Sequence, residues 1–130
     1  MGKFNFIPTE IPGVVVIEPT VYGDDRGYFM ETYQADEFAA AGIDHEFVQD
    51  NQSKSSRGVL RGLHFQKEHT QGKLVRVVKG EVYDVAVDCR PHSATFGTGV
   101  GDALPEGNTR ELSQPECWAP GAPGAREAAE

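Results

Sequence analysis

Short β-branched runs recur along the first ninety residues, and turn-forming residues separate them. The strongest run is Val82-Tyr-Asp-Val-Ala-Val-Asp88, and further strands are predicted at 11–18, 27–33, 46–50, 59–66 and 73–79. Runs of this length and spacing are typical of an antiparallel sandwich or barrel. One short helix is predicted at 36–42, where acidic residues precede three alanines and a glycine closes the segment.

Alternation along the strongest run separates two faces of the predicted strand. One face carries Tyr83, Val85 and Val87, and the other carries Val82, Asp84, Ala86 and Asp88. Side chains two apart on a strand share a face, so the first face is predicted to be the core. The second face is semipolar and is predicted to line a cavity.

The charge distribution singles out one segment. The chain of 130 residues has a formal net charge of −8, yet residues 54–79 hold seven basic side chains and one acidic one, a balance of 7 − 1 = +6. Such a basic island fits a small anionic ligand better than a nucleic acid, which needs a broad basic face. The sequence shows no run of about 20 apolar residues and no signal-peptide pattern, which predicts a cytoplasmic protein and no membrane partner.

The composition changes towards the C-terminus. Residues 97–130 contain six glycines, four prolines and six alanines, but only four large apolar residues. A segment with so few apolar groups cannot offset its ordering entropy by burial. We therefore predict a folded part at 1–101 and a divergent tail without regular structure at 102–130.

A histidine and a lysine stand at fixed distances from two glycines. The layout is Gly58, five residues, His64-x-Gln66, then Lys73, six residues and Gly80, and it resembles the first motif of cupin barrels. Glutamine and lysine stand where a second histidine and a glutamate would supply metal ligands, and an ammonium repels a cation. The pattern predicts no metal, with His64 as a base and Lys73 as a fixed cation for epimerisation or isomerisation next to a ketone. The alternative is that His64 is a core histidine and Lys73 a solvated strand lysine.

Five motifs in order resemble the dTDP-4-dehydrorhamnose 3,5-epimerase family. They are Asp25-Arg-Gly-Tyr-Phe-Met-Glu31, Phe47-Val-Gln-Asp-Asn-Gln-Ser-Lys54, Gly58-Val-Leu-Arg-Gly-Leu-His-Phe-Gln66, Gln71-Gly-Lys-Leu-Val-Arg76 and Gly80-Glu-Val-Tyr-Asp-Val-Ala-Val-Asp88. The resemblance implies an all-β, cupin-type jelly roll (a double-stranded β-helix), incomplete in this chain, without a metal or cofactor. It also implies epimerisation of dTDP-4-dehydro-6-deoxy-glucose at C3 and C5, next to the C4 ketone, in dTDP-L-rhamnose biosynthesis.

The resemblance also assigns roles to individual residues. His64 corresponds to the proton-abstracting base, and Lys73 to the substrate ligand that stabilises the enolate. Other substrate ligands implied within the same subunit are Gln49, Asn51 and Arg61. Arg26 and Glu31 correspond to ligands that reach the neighbouring site across a homodimer interface. Because Arg61 and His64 are three residues apart, both reach one pocket only if the strand bends or bulges at Gly62.

The segment after Gly101 departs from the family pattern. The family carries there a second histidine, a proton-donating tyrosine and an aspartate that orients the base, whereas residues 102–130 contain no histidine and no tyrosine. The sequence is therefore interpreted as a truncated or frame-shifted family member. Three functions stay open: an epimerase, a noncatalytic remnant that binds dTDP-sugars or dimerises, and a related dTDP-4-keto-sugar isomerase.

Overall fold

The computed structural model describes residues 3–44, 46–62, 72–105, 111–114 and 126–128, the last two ranges by their backbone alone. Most of its regular structure is strand, as predicted. The elements are β1 (Phe4–Pro8), β2 (Val15–Pro19), β3 (Val21–Asp24), β4 (Gly27–Met30), α1 (Ala35–Ala40), β5 (Lys73–Arg76), β6 (Glu81–Val87), β7 (Gly99–Pro105), β8 (Glu111–Gln114) and β9 (Arg126–Ala128).

The strands form two sheets and a separate hairpin. A four-stranded sheet has the order β1-β2-β8-β5, a three-stranded sheet has the order β7-β6-β9, and β3 pairs with β4 alone. All of these pairings are antiparallel. The arrangement agrees with the predicted sandwich or barrel.

One apolar cluster joins the two sheets. Val16 of β2 and Val77, just after β5, pack with Ala86 of β6 and Leu104 of β7. Partly buried side chains from both sheets extend this cluster, namely Ile7, Val75, Val82 and Val100. The face of each sheet that carries these residues is called the inner face below.

The helix α1 packs on the other face of the four-stranded sheet. Its Phe38 is fully buried and belongs to a second cluster with Ile17 and Ile43. The Gln34 side chain accepts a hydrogen bond from the Glu37 backbone amide at 2.8 Å, which caps the first turn. Acidic residues in that turn suit the positive end of the helix dipole.

The structure corrects the predicted core face of β6. Asp84, Ala86 and Asp88 are fully buried, whereas the Tyr83 side chain is 48% exposed. The Tyr83 ring covers the cross-strand glycine Gly101, where an added Cβ would lie 2.8 Å from the tyrosine Cε1. The inner face is therefore the semipolar one, because the facing sheet covers it and partners for its carboxylates come from elsewhere in the chain.

Strands are also described within the segment predicted as a tail. β7 crosses the boundary predicted at Gly101 and pairs with β6 along its whole length. β8 and β9 lie within 102–130 and pair with β2, β5 and β6. These strands are held by backbone hydrogen bonds to neighbouring strands, a contribution that a count of apolar residues does not include.

Two further differences concern the N-terminal half. β1 and β3 were not predicted, and β1 is stabilised by antiparallel pairing with β2 from Phe4↔Pro19 to Pro8↔Val15. Residues 46–50, predicted as a strand, have no regular structure. Strand propensity alone does not decide such short segments, because cross-strand partners contribute most of their stability.

Candidate active site

Lys73 lies at the start of β5 and faces the inside. It shares a strand face with Val75, which packs against the apolar cluster between the sheets. Its side chain is half-buried, whereas Lys54, Arg57, Arg61, Arg76 and Lys79 of the basic island are exposed. A fixed ammonium in a partly desolvated interior can stabilise negative charge that develops on a bound molecule.

Two carboxylates face the same interior from the opposite sheet. Asp84 lies between Val82 and Ala86 on β6, and its cross-strand partner on β7 is Asp102. Asp84 is 0% exposed, and Asp102 is half-buried. The sequence alternation had assigned Asp84 to a semipolar face, but no motif indicated that Asp102 would join it there.

The third carboxylate on the inner face of this sheet, Asp88, is held by hydrogen bonds from neighbouring side chains. It accepts hydrogen bonds from Arg90 Nε at 2.9 Å, Ser93 Oγ at 2.6 Å and Thr95 Oγ1 at 2.6 Å. Burial opposes the ionisation of Asp88, but these hydrogen bonds outweigh it and hold the pKa of the carboxyl well below its ordinary value. Arg90 also donates to the Pro12 carbonyl oxygen at 2.9 Å and so ties this turn to the loop before β2.

The predicted substrate ligands before His64 lie on the surface. Gln49 Nε2 donates to Asn51 Oδ1 at 3.3 Å, so the structure brings these two amides together. Arg61 is exposed. Gly62, where a bend was predicted, has a φ of 110°, a conformation that favours glycine. His64 and Gln66 lie outside the described residues.

Arg26 and Glu31 lie on and beside the β3–β4 hairpin. Arg26 Nη2 contacts Asp24 Oδ2 at 2.6 Å within the turn, and this contact lowers the pKa of the Asp24 carboxyl. Glu31 Oε2 contacts Lys3 Nζ at 3.0 Å and raises the pKa of Lys3. Both predicted ligands therefore have partners within their own chain.

Two features are absent from the described part of the chain. No group of three or more His, Cys, Asp or Glu side chains there is arranged to hold a metal ion. No helix there is long and apolar enough to cross a membrane.

Comparison with known proteins identifies relatives across nearly the whole chain. The family model of dTDP-4-dehydrorhamnose 3,5-epimerase matches residues 8–130, which includes the segment predicted to diverge. The epimerase of Methanothermobacter thermautotrophicus is 54% identical over 121 residues, which are 93% of this chain and 65% of that protein. The Shigella flexneri epimerase is 57% identical over 119 residues, 90% of this chain and 66% of that one.

Solved structures of epimerases also resemble this chain. The dTDP-6-deoxy-D-glucose-3,5-epimerase of Legionella pneumophila, crystallised with dTDP-4-keto-L-rhamnose, has a TM-score of 0.87 and 47% identity. The match covers 97% of this chain and 64% of the Legionella chain. The Sulfolobus tokodaii epimerase has a TM-score of 0.85 and 36% identity, with 99% of this chain and 69% of that chain covered.

These likenesses confirm the predicted all-β, cupin-type jelly roll. The chain spans slightly less than two thirds of the length of the first relatives that it matches. The match over residues 8–130 shows that this chain belongs to the dTDP-4-dehydrorhamnose 3,5-epimerase family.

Proposed function

We propose that this chain binds a dTDP-4-keto-6-deoxy sugar and epimerises it at C3 and C5, as an enzyme of dTDP-L-rhamnose biosynthesis. The observation that carries the proposal is its likeness, at a TM-score of 0.87, to an epimerase crystallised with dTDP-4-keto-L-rhamnose. The basic island agrees with a ligand that carries a diphosphate, since arginine and lysine are common phosphate ligands.

The proposed chemistry is proton transfer next to a ketone. His64 removes the proton from C3 or C5, and electrons move towards the C4 oxygen to form an enolate. Lys73 stabilises that negative charge as it develops, and its half-buried position on the inner face supports this role. Return of a proton to the opposite face of the carbon completes each inversion. Gln49, Asn51 and Arg61 bind the nucleotide and sugar groups.

Solvent exchange tests the reaction directly. In D2O, we expect deuterium at C3 and C5 of dTDP-4-dehydro-6-deoxy-glucose, detected by NMR. Lys73→Met is expected to slow this exchange about 100-fold, the loss typical when one charge-stabilising donor is removed. The control is Lys79→Met, because Lys79 is exposed in the turn after β5. Equal losses in both variants would contradict the role of Lys73, and absence of exchange in the unmodified protein would contradict epimerisation.

A second candidate function is dTDP-sugar binding without turnover. It is supported by the exposed amides of Gln49 and Asn51, which can donate to and accept from a nucleotide without any proton transfer. Titration calorimetry with dTDP separates the two functions. Binding without any deuterium exchange supports the second, and binding with exchange at both carbons supports the first.

The same proposal includes a homodimer in which Arg26 and Glu31 reach the neighbouring site. Its support is the β3–β4 hairpin, which pairs with no other strand in the described structure and exposes Tyr22, Tyr28 and Phe29. Phe29 is 69% exposed, an unfavourable position for a large aromatic unless a partner covers it. Sedimentation is expected to show dimers that Phe29→Ala weakens, while Phe96→Ala, also exposed, leaves them intact. Monomers at all concentrations would contradict the dimer.

A further inference from the structure

The interior of the described structure combines opposite charges from facing sheets. Lys73 lies on the inner face of β5, and Asp84 lies on the inner face of β6. Their strand neighbours Val75 and Val82 both pack against the same apolar cluster. The two side chains therefore belong to the faces that the two sheets turn towards each other.

The burial of Asp84 requires a favourable environment for its carboxylate. Asp84 is 0% exposed, and an ionised carboxylate is strongly disfavoured in such surroundings unless an opposite charge or hydrogen-bond donors lie close to it. Asp102, directly opposite on β7, adds a second negative group. Two like charges at this spacing increase the need for a cation.

Among the basic side chains that the structure describes, Lys73 has the position that the Asp84 charge requires. On the inner face of β1 and β2 the described polar side chains are Asn5 and Glu18, and Asn5 Nδ2 donates to Glu18 Oε1 at 3.3 Å. Arg76 lies one residue out of step with Lys73 and Val75, so it belongs to the other face of β5, and it is exposed. Arg90, which lies just beyond β6, is bound to Asp88 at 2.9 Å.

We propose that Asp84 is a positioning residue whose buried carboxylate holds the Lys73 ammonium in place on the inner face. A lysine side chain has four rotatable bonds and a mobile point charge. A carboxylate behind the ammonium fixes its position, which is what stabilisation of an enolate requires. The catalytic meaning of this contact rests on the proposed function, but the contact itself does not.

Amine labelling tests the contact without any substrate. The intact protein is treated briefly with an isotope-coded acetylating reagent, and the label on each lysine is measured by mass spectrometry. In Asp84→Asn, the labelling of Lys73 relative to the exposed Lys54 and Lys79 is expected to rise about tenfold, because a lysine that no carboxylate holds in place is freer to meet the reagent. Asp84→Glu is expected to restore slow labelling.

Two control variants separate positioning from general loosening of the sheet. Asp102→Asn removes the less buried carboxylate of the Asp84–Asp102 pair. Asp88→Asn loosens the end of β6, because Asp88 no longer forms its ion pair with Arg90. Neither is expected to change the relative labelling of Lys73 by more than about twofold. The proposal is overturned if Asp84→Asn leaves the labelling unchanged, or if Asp88→Asn raises it equally.

Thermal unfolding gives a second measurement if Asp84→Asn alone folds poorly. Lys73→Met leaves the Asp84 charge buried without its cation and is expected to lower the Tm. Adding Asp84→Asn to Lys73→Met removes that charge and is expected to raise the Tm again by about 5 °C. A double variant that melts no higher than Lys73→Met contradicts the proposal. Neither measurement uses dTDP, so a protein that fails to bind dTDP can still show the contact.

Discussion

Asp84 on β6 lies directly opposite Asp102 on β7, and both carboxylates face the interior between the two sheets. Side chains in such a cross-strand pair have Cβ atoms about 4.5–5.5 Å apart, and like charges at this distance destabilise the pair. The fold therefore contains a built-in repulsion on the inner face of the three-stranded sheet.

Removing the less buried member should relieve this repulsion. We expect Asp102→Asn to raise the free energy of unfolding by about 0.2–1 kcal/mol in urea denaturation at neutral pH. Asp25→Asn, in the exposed turn of the β3–β4 hairpin, is the control and should have less effect. A clear loss of stability in Asp102→Asn would show that the second carboxylate has a net favourable role.

Substitution of Asp88 should have the opposite effect, a loss of stability. Its carboxylate is fully buried and accepts hydrogen bonds from Arg90, Ser93 and Thr95. Asp88→Asn removes the charge that pairs with Arg90, so we expect the free energy of unfolding to fall by about 2–4 kcal/mol. The exposed Asp44 supplies a control, since Asp44→Asn is expected to change the free energy of unfolding by less than about 0.5 kcal/mol. Similar losses in both variants would count against the network.

The same network predicts how stability depends on pH. The pKa of Asp88 is lower in the folded protein than its ordinary value of 3.8, so this group stabilises the fold above that pH. As the pH falls below about 4, the unfolded chain binds a proton that the folded chain does not, and the free energy of unfolding decreases. Denaturant titrations at a series of pH values should show a shallower acid dependence for Asp88→Asn. An unchanged slope would mean that other carboxyls dominate.

Phe38 is predicted to anchor the N-terminal part of the fold. Its ring makes edge-to-face contacts with Phe4, Phe6 and Tyr33 at centroid distances of 5.1, 5.3 and 4.8 Å. Phe38→Ala should lower the free energy of unfolding by about 3–5 kcal/mol, because it leaves a cavity among these rings.

The exposed Phe29 provides the matched control for Phe38. Phe29→Ala should change the stability of the isolated subunit by less than about 0.5 kcal/mol when denaturation is measured at high dilution. If Phe38→Ala were as mild as Phe29→Ala, the helix would not depend on this aromatic contact.

Strand positions were predictable where the chain combines strong β propensity with clear turns. The run predicted at 81–88 became β6, and the helix predicted at 36–42 became α1 at Ala35–Ala40. The segment 46–50 has the composition of a strand but no regular structure, and β1 forms where none was predicted. Both outcomes depend on whether a partner strand lies alongside, which local composition does not record.

By itself, the sequence determined the family, through five ordered motifs, and the alternation that puts Asp84 and Ala86 on one face of a strand. Only the tertiary structure decided which face is buried, because burial of a carboxylate depends on partners outside its own strand. For Asp88 those partners are Arg90, Ser93 and Thr95 in the following turn. For Asp84 the proposed partner is Lys73, which the facing sheet carries on its inner face.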